Sequence, residues 1–255
     1  MAGDAAILRT LAAHEFPAER CAADEPVSVL DGRSVLVTEW ADPVPRQERR
    51  DAIRAAGGLR HLGSLLGRLH TLGDGAAARP GGAWHHLADG LPSAEIAAAD
   101  RMLAEAAPVI PDAERAAFDE LRALDAAQGL PEGLIHPDFV LANVVATPGG
   151  MVLVDWAGAG RGPRLWPLAF LLYSEAAKEP RRAGAVLLGY REHVTLEAAE
   201  LDRLAAVAQA RPLILRAWSV CMGHTTPTQA LTAASETKAL TEVIATRIRA
   251  AVTGR

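Results

Sequence analysis

Apolar residues recur at three- and four-residue intervals along most of the chain, the spacing of one buried helical face. The pattern predicts helices over residues 4–14, 50–72, 93–107, 112–127, 165–177, 181–193, 196–209, 211–222 and 228–252. In the second of these the stripe is Ile53, Leu59, Leu62, Leu65, Leu66 and Leu69. Ser93 with Glu95, and Asp112 with Glu114, are suited to cap the helices they open. Two short β-branched runs, Val27 to Leu30 and Ser34 to Thr38, flank Asp31-Gly32, a pairing that signals a hairpin. ADPVPR (41–46) reads as a linker, because its two prolines forbid continuous helix or inner strand. A second β-rich block runs from Leu134-Ile135 through HPDFVLANVVA, a turn at Thr147 to Gly150, and MVLVDW (151–156). GDGAAARPGG (73–82) and GAGRGPR (158–164) read as breaks. The order is a small β-containing head followed by a mostly helical body with a β insert, an α+β fold.

Composition narrows the class. The chain has 255 residues, half of them apolar, which suits one large domain or two small ones and excludes disorder, collagen-like repeats and simple coiled coil. A net charge of −5 gives no basic excess for a nucleic-acid partner. Cys21 and Cys221 lie too far apart for a metal motif or a disulfide framework, as expected in a reducing cytoplasm. Asp4 and Glu15 interrupt the start where a signal peptide needs an apolar core. The longest apolar runs, such as Leu165 to Tyr173, fall short of a membrane span. The expectation is a cytoplasmic protein with no membrane segment.

The chemistry concentrates in one stretch. His136, Asp138 and Asn143 form H-x-D-x-x-x-x-N, and a β-turn-β passage then ends in Asp155. Phosphoryl transfer from ATP needs a carboxylate to orient the acceptor hydroxyl, and oxygen ligands for Mg²⁺ on the phosphates. Asp138 has the type and place for the first task. Asn143 and Asp155, returned by the hairpin, have them for the second. With eight His, fourteen Asp and a single Asn in the chain, H-x-D-x4-N arises by chance roughly 0.002 times. An ordinary polar turn is the competing reading, and His136 by itself suits a structural role.

These residues resemble the aminoglycoside phosphotransferase/choline kinase-like family, relatives of protein kinases, whose motif is H-G-D-x-x-x-x-N followed by I-D-W or I-D-F. Here it stands as His136-Pro137-Asp138 to Asn143, then Val154-Asp155-Trp156. GSLLGRLHTL (63–72), VLVTEWADP (35–43) and FPAERC (16–21) extend the likeness over roughly residues 4–220. The resemblance implies a protein-kinase-like fold with a truncated N-lobe over 1–42, ending in a hinge, and a helical C-lobe over 43–255 with a catalytic β insert at 134–156. It implies Asp138 as catalytic base, Asn143 and Asp155 as Mg²⁺ ligands, and backbone of Glu39, Trp40 and Ala41 on the adenine edge of ATP. Trp40 either packs near adenine or is a buried structural residue. The implied activity is transfer of the ATP γ-phosphate to a hydroxyl of a small molecule, an aminoglycoside-like antibiotic or a metabolite. The alternative is a catalytically impaired pseudokinase serving as a nucleotide-binding or protein-partner subunit.

The likeness fails at the start. The family's N-lobe opens with a Gly-rich hairpin and a strand carrying a phosphate-binding lysine. Here Asp4 stands in the place of the acid that pairs with that lysine, and no lysine precedes Lys178. The readings are a start roughly 60–80 codons upstream, about three strands' worth, a lost N-lobe, or substitution by Arg9, which a guanidinium suits poorly. A shortened N-lobe leaves a sheet edge at Ser34–Thr38 open to a second copy or a protein partner. Pro137 replaces the motif's glycine, and Pro167 stands where the family has an aspartate bracing the loop. Trp84-His85-His86 either line the acceptor pocket or pack, and His70 reads as a packing histidine. Arg161 and Arg164 meet either phosphate or ion-pair partners. Asp89, Glu95 and Asp100 form either a rim for a cationic acceptor or a solvated helix face.

Overall fold

The computed structural model describes residues 1–73, 79–106, 110 and 124–254. Helix α1 (Ala2–Ala13) buries Ile7, Leu8 and Leu11 on one side. The hairpin follows as β1 (Val27–Leu30) and β2 (Arg33–Leu36), antiparallel with Val29 opposite Ser34. Its turn residues Asp31 and Gly32 both have positive φ, 50° and 76°, as a type I′ turn requires. The hairpin is exposed on both faces. Beyond the hairpin the ladder continues on the side of β2 that faces β1, where the Val37 N–H donates to the Pro26 carbonyl and Cys21 bridges Thr38.

The single helix expected over 50–72 is two, α2 (Arg49–Ala55) and α3 (Gly58–His70). Gly57 and Gly58 both sit at positive φ, 95° and 62°, so the chain turns between them. Helix α4 spans Pro92–Ala106. The helix expected over 112–127 lies largely outside the described residues, and its last four, 124–127, are irregular. Next come β3 (Glu132–Ile135), a 3₁₀ turn (Leu141–Asn143), β4 (Val144–Thr147), β5 (Gly150–Leu153) and β6 (Gly160–Pro163). β4 pairs antiparallel with β5, and β3 with β6. The segment 158–164, read as a break, therefore contains a strand. Its glycines are needed there: a Cβ on Gly160 or Gly162 would press on backbone of Arg79 to Gly81, which runs alongside.

The remaining helices are α5 (Leu165–Ala176), α6 (Pro180–Tyr190), α7 (Ala198–Cys221) and α8 (Pro227–Thr253). α7 is continuous through Pro212, where the sequence predicts a division. Pro212 sacrifices its own helical bond. Burial of Ala208, Ala210, Leu213 and Ile214 around it holds the helix together. α3 and α6 approach so closely that a Cβ on Gly189 would overlap the Arg60 carbonyl, and one on Gly63 the Val186 carbonyl. One continuous core joins α1, α3, β4, β5 and α5 to α7, with Trp156 and Tyr190 as its largest fully buried side chains. This core supports the β3-to-β6 block from beneath. Among the described residues no helix is long and apolar enough to cross a membrane.

Candidate active site

The β3 strand ends at Ile135 and delivers His136, fully buried, into the loop. Its Nδ1 accepts the Asp138 backbone N–H at 3.0 Å, and its Nε2 donates to the Val154 carbonyl at 3.1 Å. An amide can only donate and a carbonyl only accept, so the ring is neutral with its proton on Nε2. Burial holds its pKa below the ordinary histidine value. One imidazole thus ties the loop that carries Asp138 to the strand end that carries Asp155.

The 3₁₀ turn then presents Asn143, whose Nδ2 donates to both the Asp138 carbonyl and Asp138 Oδ2 at 2.9 Å. The β4–β5 hairpin returns the chain, and the Val154 N–H donates to the Asn143 carbonyl at 3.1 Å. Asp155 stands at φ +69°, a left-handed conformation uncommon for aspartate and typical of constrained functional positions. Its amide donates to Glu19 Oε1 at 3.1 Å. The other oxygen of Glu19 accepts from Thr38 Oγ1 at 3.1 Å, so a single carboxylate separates the strand leading to Glu39, Trp40 and Ala41 from Asp155.

Two uncommitted oxygen groups remain. Among the described residues no donor reaches Asn143 Oδ1, and the Asp155 carboxylate has no ion pair or hydrogen bond. Hard oxygen donors free of protein partners fit a divalent cation such as Mg²⁺, which keeps water and phosphate in most of its coordination positions. Among the described residues no group of three or more His, Cys, Asp or Glu could hold a metal, and Asn143 Oδ1 and the Asp155 carboxylate are oxygen groups that could serve one.

Sequence reasoning missed the groups behind the loop. Arg211, on α7, is buried and ion-paired with buried Glu95 on α4 through two contacts, 2.6 and 2.8 Å. It also donates to the Pro137 carbonyl at 2.9 Å, and its Nη1 lies 3.9 Å from Asp138 Oδ1. The rings of Trp166 and Phe170 flank it at 5.7 and 5.5 Å. Pro167 stands where the resemblance leads to expect an aspartate bracing the loop, and the Arg211 cation braces it instead, through the Pro137 carbonyl. Glu95 is accordingly neither a pocket rim nor a solvated face, and burial pushes its carboxyl up against the pull of Arg211. The one signal in the sequence is an arginine inside an alanine-rich apolar helix, next to Pro212. Arg49, at the start of α2, donates to the Leu141 and Val144 carbonyls at 3.1 and 2.9 Å and so grips both ends of the turn that holds Asn143.

The other candidates divide. Trp84 lines a cavity of about 330 Å³ together with Asp138, Phe170, Ser174, Lys178 and Arg211. His85 and His86 stack on one another at 3.9 Å, with His86 against Trp84. His70 is buried against Tyr190 and shares a 2.9 Å hydrogen bond with its hydroxyl. Arg161 pairs with Glu132, and Arg164 with Glu200. Trp40 is 83% exposed, which removes the structural reading and leaves its face open to solvent. The Glu39 amide is already committed to the Arg20 carbonyl at 2.8 Å. Asp4 pairs with Arg79 rather than with a lysine.

Residues 1–213 match the model of the phosphotransferase enzyme family. No curated protein sequence matches the chain. Its fold is similar to that of a choline/ethanolamine kinase family protein from Mesorhizobium loti, with a TM-score of 0.64 and 20% identity over 99% of this chain and 83% of the other. The choline kinase LicA from Streptococcus pneumoniae is similar at 0.59 and 17% identity, over 91% and 78% of the two chains. The amicoumacin kinase hAmiN, solved in complex with AMP-PNP, Ca²⁺ and Ami, is similar at 0.57 and 16%, over 94% and 76%.

Proposed function

Because the chain belongs to the phosphotransferase enzyme family, we propose that it transfers the terminal phosphate of ATP to a hydroxyl group of a small molecule. The observation that carries this reading is the junction made by His136, which holds Asp138, Asn143 and Asp155 in one hydrogen-bonded unit while leaving oxygens of Asn143 and Asp155 unpaired. Asp138 accepts the proton of the attacking hydroxyl and aims it at the phosphorus. Asn143 fixes one oxygen of that carboxylate. Asn143 Oδ1 and the Asp155 carboxylate hold Mg²⁺, which when bound neutralises charge on the ATP phosphates. Backbone of Glu39 to Ala41 faces the adenine, with the exposed ring of Trp40 beside it. The AMP-PNP and Ca²⁺ held by the amicoumacin kinase support a nucleotide with a divalent cation in this fold. The acceptor enters the cavity shared by Trp84 and Asp138. The hinge divides a small part, residues 1–42, from the helical body, 43–255. Transfer from ATP, and free cysteines at 21 and 221, are in keeping with a cytoplasmic location.

Calorimetric titration with ATP, with and without Mg²⁺, tests the reading on the chain and on Asp155→Ala. Mg²⁺-dependent binding that disappears in the variant is the expected result. A folded sample that takes up no ATP at millimolar concentration would sink the proposal. Asp138→Asn should bind ATP as before and lose transfer by about 10² to 10⁴-fold, the usual worth of a general base.

A further inference from the structure

We infer that the acceptor is an anionic hydroxy compound, with a carboxylate or comparable acid on an apolar or aromatic frame, and not an amine. The inference rests on the phosphotransferase reading of the same site and concerns the chemical class of its acceptor.

Two cavities flank the loop that carries Asp138 and Asn143, and they meet at Leu141, which lines both. The first contains Asp138 as its only lining carboxylate, together with Lys178 and Arg211. The second, of about 590 Å³, is lined by Arg46, Arg49, Arg50, Arg54 and Arg182 and by no acid. Together the two cavities are lined by seven basic side chains and one carboxylate, in a chain whose overall charge is −5.

The neighbouring acids do not cancel them. Glu95 compensates Arg211. Glu175, fully buried, receives both Lys178 and Arg182, so one of those two charges is left over. Asp51 pairs with Arg54 at the surface, where both are well solvated. Arg46 and Arg50 have no acidic partner among the described residues, and Arg49 spends its donors on carbonyls. The excess remains positive even with Asp138 ionised. A cationic group placed here would be held away by Lys178 and the arginines. An acid would gain charge-assisted hydrogen bonds from them. Apart from Ser174, the rest of the first cavity is apolar or aromatic, with Trp84, Phe170, Val140 and Leu215. It suits a ring or short aliphatic frame whose hydroxyl reaches Asp138 while its acid reaches Lys178 or the arginines beyond Leu141.

Matched pairs isolate the sign of the charge: 4-(hydroxymethyl)benzoate against 4-(hydroxymethyl)benzylamine, and glycerate against 3-amino-1,2-propanediol. Equilibrium binding to the chain is measured by calorimetry, with and without AMP-PNP and Mg²⁺. The acid of at least one pair should bind ten times more tightly than its amine, and 0.5 M salt should narrow the gap by screening. Lys178→Gln should reduce the preference at least threefold. Arg50→Gln, on the exposed side of α2, provides a second variant should the first fail to fold. Equal binding, tighter amine binding or no binding by any acid overturns the inference. So does an Arg50→Gln variant that weakens ATP binding while the paired probes stay equivalent, because the arginines would then serve the nucleotide phosphates. Failure of the phosphotransferase reading itself is seen separately, as absence of Asp155-dependent ATP binding.

Discussion

At the scale of single residues, Arg211 is the side chain on which the loop most depends. Its charge is buried with that of Glu95; the Pro137 and Gly82 carbonyls accept from the guanidinium, and the Trp84 N–H donates to the carboxylate. Removing one partner strands the other in the interior. Arg211→Met is expected to cost about 3–5 kcal/mol in urea unfolding. Adding Glu95→Gln should restore part of that loss, whereas independent contributions would make the double variant worse. That Asp138, Asn143 and Asp155 come together was legible because their relation is local. Five positions separate Asp138 from Asn143, and a tight hairpin brings in Asp155. Arg211 and Glu95 were not legible, because 116 positions separate them and each sits on a helix whose spacing alone does not say which face is dry. Glu19 was hidden in the same way: nothing in FPAERC signals that its carboxylate will meet the amide of Asp155.

At the scale of elements, strand and helix were readable wherever the residue types match the backbone they occupy. Asp31-Gly32 turns a hairpin because both residues tolerate positive φ. The readings that failed involve glycine and proline acting through their surroundings. Gly57-Gly58 divides a helix that apolar spacing alone continues. In β6, glycines that look like a break let three chain segments lie together. Pro212 looks like a helix end, and packing overrides it. The same physics predicts the outcome at the α3–α6 crossing. Gly189→Ala or Gly63→Ala should destabilise by about 1–3 kcal/mol, through displacement of the facing carbonyl. Gly184→Ala, on the same helix with nothing within reach of its Cβ, should be neutral or slightly stabilising. Thermal melting of the three variants distinguishes crowding at the crossing from a general intolerance of α3 and α6 to alanine.

At the scale of the whole molecule, two buried neutral histidines tie stability to pH. Burial, reinforced by the nearby Arg164 charge, pushes His70 down to about 3 from its ordinary 6.5. His136 is displaced in the same direction by burial. Below about pH 6.5 the unfolded chain takes up protons that the folded chain refuses, so stability falls as the solution is acidified, and for His70 the loss continues down to about pH 3. The slope approaches about 1.4 kcal/mol per pH unit for each such proton. Urea midpoints at pH 7 and 5.5 should differ accordingly, and His70→Gln should reduce the difference. The left-handed backbone of Asp155 sets a contrary pressure on the molecule. Glycine holds that conformation without strain, and replacing an aspartate there should raise the melting temperature by a gain of about 1 kcal/mol. It would also delete the carboxylate to which the proposed function assigns nucleotide binding. A library of variants enriched for heat resistance alone should therefore drift to glycine at 155, while one enriched for turnover should retain aspartate and the strain that comes with it.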